Sequence, residues 1–350
     1  MLLSLFCADG CVFMRALAAF LCALFVVLLF GKPVIFLLHK MQHSGQPIRS
    51  DGPQSHLLTK QGTPTMGGLL ILAAAVLSVV LFANIKYHFV WVSLIVIFVY
   101  GLTGFVDDYI KVKKQTPNAL TAKAKLFFQL LTAVVVATII TAATPNASSN
   151  ILYVPYFRFV LNLSWLYIPF AVIVISGTSN AVNLSDGLDG LASGLLVLAF
   201  TFFALMAYIV GTPIAQGFHF PFIARSAEIC VVAASVAGAC LGFLYYNAPK
   251  AKVFMGDTGS LALGALLGTT AVILKQEILL AIVGFVFVME TLSVMIQVFW
   301  YKKTGKRFFK MAPIHHHFEQ CGWRENKVVL VFWSVGFFCA FLGLLSLIKF

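Results

Sequence analysis

Charge is scarce in this chain: Asp, Glu, Lys and Arg together make up 10% of its 350 residues, against 61% hydrophobic, and the mean hydropathy is +0.96. A soluble globular domain carries about a quarter charged residues, so that class is excluded. A P-loop and an HExxH motif are also missing, which argues against ATP hydrolysis and zinc-protease chemistry. There are no heptads, low-complexity tracts or obvious repeats. The cysteines number seven, and Cys22, Cys230, Cys240 and Cys339 fall inside apolar runs where a small apolar role suffices. No disulfide framework is implied, and only Cys7 and Cys11 are placed to pair. The first apolar run has no convincing small-residue cleavage site before Lys40 and reads as an uncleaved helix.

What the chain does have is ten apolar runs, beginning near Met14, Gly68, Phe89, Ala124, Trp165, Leu191, Ala227, Ser260, Ile278 and Val328. A helix needs roughly 20 such residues to cross about 30 Å of hydrocarbon. The runs are too long and too uniformly apolar for barrel strands. The expectation is an all-α, polytopic integral membrane protein of ten transmembrane helices, with residues 1–350 forming one membrane domain. Seventeen Lys and Arg follow the odd-numbered runs and six lie on the other side. The bias places the odd connections in the cytoplasm and both termini outside, in the periplasm of a bacterial cell. It also accounts for most of the net charge of +12, so nucleic acid is not expected as a partner. The residual positive field favours membrane lipid headgroups or a polyanionic substrate.

Acids are half as frequent as Lys and Arg, and five of the seven aspartates, Asp107, Asp108, Asp186, Asp189 and Asp257, stand at the ends of apolar runs. A charge near the centre of a spanning helix costs about 2.5 to 3.5 kcal/mol. Every polar or Gly-rich cluster follows an odd-numbered run, so all of them face one side of the membrane. A transporter would keep such groups near the midplane.

Five clusters result. The first runs from Arg49, Asp51 and His56 through Lys60 to Thr63-Pro-Thr65-Met-Gly-Gly68; its hydroxyls and glycines suit an anion seat at a helix start, or an ordinary solvated loop. In the second, Asp107 and Lys111 share a helix face while Asp108 points about a third of a turn away. Two carboxylates about 5 Å apart repel by roughly 3 kcal/mol at an effective dielectric of 20, so a cation or a shared proton belongs between them. Carboxylates and water suit Mg²⁺; a solvated helix end with a surface ion pair is the alternative. The third, Asn183-Leu-Ser-Asp186-Gly-Leu-Asp189-Gly190, holds two acids in tight turns with no basic residue. The fourth, from Asn247 through Lys250, Lys252 and Phe254 to Asp257 and Ser260, resembles a phosphate cradle at a helix start. The fifth, Ala312-Pro-Ile-His315-His316-His317-Phe-Glu319, is better suited to an anion or a substrate group than to zinc, since adjacent ring positions diverge by about 100° on a helix. In the ninth run Glu290 is expected to make an interhelix contact, and Gln297 to lie near the polar side.

Together the five clusters closely resemble the bacterial phospho-N-acetylmuramoyl-pentapeptide transferases, within the wider polyprenyl-phosphate N-acetylhexosamine 1-phosphate transferases. DDxxK and the NxxD region are shared across that superfamily. The loop from Arg49 to Gly68, the stretch Phe254 to Ser260, and Ala312 to Glu319 point to the muramoyl-pentapeptide branch. The resemblance implies a ten-helix enzyme of the inner membrane, often a homodimer, with a cytoplasmic active site. It implies transfer of phospho-MurNAc-pentapeptide from UDP-MurNAc-pentapeptide to undecaprenyl phosphate, giving lipid I and UMP, with Mg²⁺ required. By motif, Asp257 would hold the metal and Asp107 and Asp108 would complete the catalytic acids. Lys60, Thr65, Asn183, Asp186, Asp189, Asn247, Phe254, Gln297 and His316 would line the nucleotide-sugar site, with Lys111, Lys123 and His315 at the phosphates.

Overall fold

A computed structural model describes residues 12–42, 45, 60, 62–116, 119–157, 159–218 and 220–348. Cys7, Cys11, Arg49, Asp51 and His56 lie outside the described residues. The long helices are α1 (Val12–Gln42), α2 (Gly68–Phe82), α3 (His88–Lys114), α4 (Ala122–Ala143) and α5 (Tyr167–Ser185). They continue as α6 (Leu191–Val210), α7 (Ile229–Asn247), α8 (Gly256–Leu274), α9 (Phe285–Thr304) and α10 (Glu325–Leu345).

Among the described residues nine helices are long and apolar enough to cross a membrane. The remaining one, α2, has 15 residues, or roughly 22 Å at the α-helical rise. It is short because the Thr63-Pro-Thr65-Met66 stretch before it is not helical: Phe254 N–H donates to Pro64 O, and Gly67 and Gly68 N–H donate to Phe254 O and Met255 O. The ninth apolar run is broken rather than continuous. Gly284, with the low helix propensity of its type, separates Glu277–Val283 from α9. One element is not helical at all: Ile151–Val154 pairs antiparallel with Phe159–Asn162 between α4 and α5, with Leu152 opposite Leu161.

The bundle is organised around α7 and α8, which are buried on nearly every side, α7 against α1 and α6, α8 against α3 and α5. A helix apolar all round belongs in the middle of such an assembly. Small residues permit the close approach. On α8, a Cβ at Gly264 would press on Thr178 O and Ser179 of α5, and one at Gly268 on Ile175; on α7, Gly238 meets Phe20 O of α1. Outward faces carry large apolar side chains such as Leu29, Phe36, Phe98, Ile173 and Phe299, which hydrocarbon accepts and water would not.

Polar groups at the two ends of the bundle are handled differently. At the end that carries the hairpin, charges neutralise one another internally. Arg15 of α1 pairs with Glu228 at the start of α7, at 2.9 and 2.5 Å, and also donates to Phe82 O. Lys275 donates to Ser149 O at 2.7 Å and lies over the Tyr167 ring, whose hydroxyl donates to Glu277. Glu228→Ala would strand a buried guanidinium and is expected to cost about 3–5 kcal/mol, most of it recovered when Arg15 is also replaced by an apolar residue. Thermal unfolding of the single and double variants in detergent checks this.

Candidate active site

The acids gather at the opposite end, where α3, α5, α7 and α9 finish and α4, α6, α8 and α10 begin. Asp107 and Asp108 sit in the final two turns of α3 and Asp257 in the first turn of α8. Their approach depends on glycine. A Cβ at Gly104 would collide with the Asp257 backbone, so α3 and α8 touch there. Gly256 turns the chain into α8 at φ +74°, and a Cβ on it would lie 2.5 Å from Asp108 Oδ2 and 2.6 Å from Thr65 Oγ1. A left-handed turn of this tightness is open only to glycine.

Asp107 and Asp108 are fully buried, yet each is answered. Asp108 accepts the Asp257 N–H at 3.2 Å, the Thr258 N–H at 2.9 Å and the Thr258 hydroxyl at 2.7 Å, which uses the donors at the start of α8. Asp107 Oδ1 accepts the Leu120 N–H at 2.9 Å. Asp107 Oδ2 and Asp257 Oδ2 share two ammonium groups: Lys111 stands at 2.7 and 3.1 Å from them, and Lys125 at 3.2 and 2.9 Å. Asp257 Oδ1 accepts from Asn183, whose amide also reaches Ser260 Oγ at 2.8 Å.

Asp186, just past α5, belongs electrostatically to this group. Burial, followed by the charges of Asp257 and Asp108, pushes its carboxyl well above the usual carboxylate range.

One oxygen from each of Asp107, Asp108 and Asp257 lies within 4.8 Å of the others. All-oxygen donors with an excess of negative charge suit a hard divalent cation. Thr65 Oγ1, next to Asp108 across Gly256, is buried and has no hydrogen-bond partner among the described residues. The residues present therefore fit a divalent ion.

Beside the acids is a second polar group. Lys60 reaches Asp189 Oδ1 at 2.8 Å and Glu325 Oε1 at 2.7 Å, and its ammonium is 5.9 Å from the Phe254 ring centre. Burial pulls the Lys60 ammonium down, but Glu325 and Asp189 outweigh it and hold Lys60 above its ordinary value. Asp189 Oδ2 accepts the Ala251 N–H. Asn247 ties the Gly190 N–H and Ser193 hydroxyl to Val253 O, closing the α6 start onto the loop before α8. Gln42 at the end of α1 clamps both the N–H and the C=O of Thr65.

The remaining residues singled out from sequence sit at the edge. His315 is fully buried with Nδ1 3.0 Å from Glu290 Oε2, so Glu290 makes the interhelix contact expected of it. The His315 ring lies against the Asp186-Gly187 turn, where a Cβ on Gly187 would strike it. His316 pairs with Glu319 at 2.6 Å. Gln297 braces the loop after α9, accepting from the Phe308 and Phe309 N–H groups at 3.1 and 2.8 Å. Lys123 is exposed on the first turn of α4, and the lysine of that helix which enters the acidic group is Lys125.

Lys125 and Glu325 are the residues that sequence reading passed over, and Thr258, inside the fourth cluster, was given no contact with Asp108. Lys125 belongs to a different helix from both of its acids, so no local spacing marks it. Glu325 had a visible signal, an acid in a strongly basic stretch. An apolar recess of about 860 Å³ on the outer flank of α2 and α3 has Leu69, Val76, Trp91, Phe98 and Thr258 among its walls. Thr258, whose hydroxyl holds Asp108, thus also contributes to the wall of this recess.

Two family comparisons agree with this geometry. The model of glycosyl transferase family 4 matches residues 90–275, just over half of the chain, and spans Asp107 through Asp257. The phospho-N-acetylmuramoyl-pentapeptide-transferase signature 1 matches residues 60–72, the segment carrying Lys60 and Thr65. An integral membrane bundle with acids and lysines converging at one end, matched on both stretches, places the chain in glycosyl transferase family 4 as a phospho-N-acetylmuramoyl-pentapeptide transferase of peptidoglycan synthesis.

Proposed function

We propose that the protein transfers phospho-MurNAc-pentapeptide from UDP-MurNAc-pentapeptide to undecaprenyl phosphate, yielding lipid I and UMP with Mg²⁺ as cofactor. The observation that carries this is the sharing of Lys111 and Lys125 between Asp107 and Asp257, far apart in sequence, at a helix end rather than at the bundle's midpoint. Phosphate attacking phosphate needs positive charge and alignment, and a lipid acceptor keeps its phosphate at the membrane interface. The excess of Lys and Arg on the same side supports a cytoplasmic active site, with both termini periplasmic. Residues 1–350 act as one catalytic unit, and a homodimer is part of the same reading.

In the reaction an oxygen of the lipid phosphate attacks the sugar-linked phosphorus of the UDP conjugate. The bond from that phosphorus to the bridging oxygen breaks, and UMP leaves with the electron pair. A phosphate monoester loses its second proton near pH 6, roughly, so the main task of the protein is to manage charge. Asp257, with Asp107 and Asp108 beside it, would hold Mg²⁺, which when bound neutralises the phosphate oxygens. Asp108 is anchored by three donors and serves to fix the start of α8 against α3. Asp107 would keep the Lys111 and Lys125 ammonium groups where the phosphates arrive and complete the catalytic acids. Lys111 and Lys125 hold the phosphates of donor and acceptor, with His315 backing the Asp186 turn. Lys60, Thr65, Asn183, Asp186, Asp189, Asn247, Phe254, Gln297 and His316 shape the nucleotide-sugar side, Phe254 offering its ring to the base.

Purified protein in detergent is expected to release UMP only when both substrates are present; product from UDP-GlcNAc and none from UDP-MurNAc-pentapeptide would assign it to a sister transferase. EDTA should stop turnover and added Mg²⁺ restore it. Asp257→Ala is expected to lose about 10³-fold or more in kcat, on the scale of removing a principal electrostatic group, and near-normal UMP release would contradict its role. Lys125→Ala should cost about 10²-fold and Lys123→Ala much less, measured side by side as initial rates of UMP release.

A further inference from the structure

We propose that Glu325, at the start of α10, is a positioning residue that sets where Lys60 meets the donor nucleotide. The inference rests on the nucleotide-sugar reading of the site. Glu325 Oε1 accepts two hydrogen bonds at once, from Lys60 Nζ at 2.7 Å and from the Asp189 N–H at 2.8 Å. Asp189 in turn holds Lys60 at 2.8 Å through Oδ1 and the Ala251 N–H through Oδ2. A single carboxylate on the C-terminal helix thus joins the loop before α2, the α5–α6 turn and, through Asp189, the loop before α8.

A flexible lysine next to one acid would fold onto that acid. Two acids on different elements hold the ammonium between them, and here the point between them lies 5.9 Å from the Phe254 ring centre. Lys60 is a flexible point charge on a four-carbon stem, so its position has to be set from outside. Burial alone does not do this: it confines the side chain but does not choose among acceptors, and the two carboxylates do. Glu325 is also an acid in a strongly basic stretch: it is the first residue of α10, between Arg324 and Lys327, with Lys306, Arg307 and Lys310 in the connection from α9. An acid there reduces the positive field that a polyanionic donor would meet, and its two hydrogen bonds, to Lys60 and to the Asp189 N–H, are what it offers in return.

The test is a cycle of four full-length proteins: wild type, Glu325→Ala, Lys60→Met and the double variant. In UMP-release assays Glu325→Ala is expected to raise the KM for UDP-MurNAc-pentapeptide about tenfold, the size of one lost charge-assisted hydrogen bond, with kcat changed less than about threefold, the pattern of lost uniform binding. Glu325→Asp should recover part of the loss. In the Lys60→Met background the further change in KM should vanish, because the residue being positioned is gone. An unchanged or lowered KM for Glu325→Ala, or equal effects in both backgrounds, overturns the proposal. Thermal unfolding of the same four proteins without substrate is expected to show non-additive shifts in Tm. Additive shifts would overturn the coupling whether or not the enzyme turns over, while absence of UMP release from the wild type would count against the function itself.

Discussion

Three carboxylates forced into one space at the edge of a hydrocarbon layer are the constraint on which this protein turns. Asp107, Asp108 and Asp257 repel one another; the first two are out of reach of bulk water and the third is only partly exposed. The surrounding structure answers each oxygen. Asp108 receives the free N–H groups that any helix start leaves over, Asp107 receives the Leu120 amide, and the two inward oxygens receive the ammonium groups of Lys111 and Lys125. An arrangement that tolerates this much negative charge only by importing cations is already adapted to phosphate chemistry, where the same balance must be kept through a reaction.

The position of the acids follows from helix packing rather than from loops. Gly264 and Gly268 of the central α8 let α5 come close on one side, Gly104 of α3 lets that helix come close on another, and the closeness brings the DD pair, Asn183 and Asp257 together. The contrast with the other end is instructive. There Arg15–Glu228 and the Lys275, Tyr167 and Glu277 group close on themselves, with no surplus charge of one sign. Charges that cancel stabilise an assembly, while charges left in excess recruit something from outside.

Much of this was readable from the chain. Length and uniformity of the apolar runs implied helices across a membrane, and the placement of acids after odd runs put them at one end, because successive helices reverse direction. The match of local motifs to a transferase family rested on short stretches whose geometry is local: a DDxxK spacing on a helix, a Gly-Asp-Thr at a helix start. Less readable were lengths and breaks. The run at Gly68 looked full-length but yields a helix of 15 residues, since the preceding segment spends its hydrogen bonds on Phe254 and Met255. The run near Ile278 is divided at Gly284, and a small hairpin stands where only a connection was expected.

By itself, then, the sequence determined the class of the protein, the end of the bundle at which its acids gather and which acids those are, since hydropathy and motif spacing act along the chain. Only the tertiary structure decided which cations answer those acids. Lys125 and not its neighbour Lys123 turns inward, and Glu325 reaches Lys60, because such pairings depend on the rotation of one helix against another. Helix rotation is set by packing across the whole bundle, which no local stretch of sequence encodes.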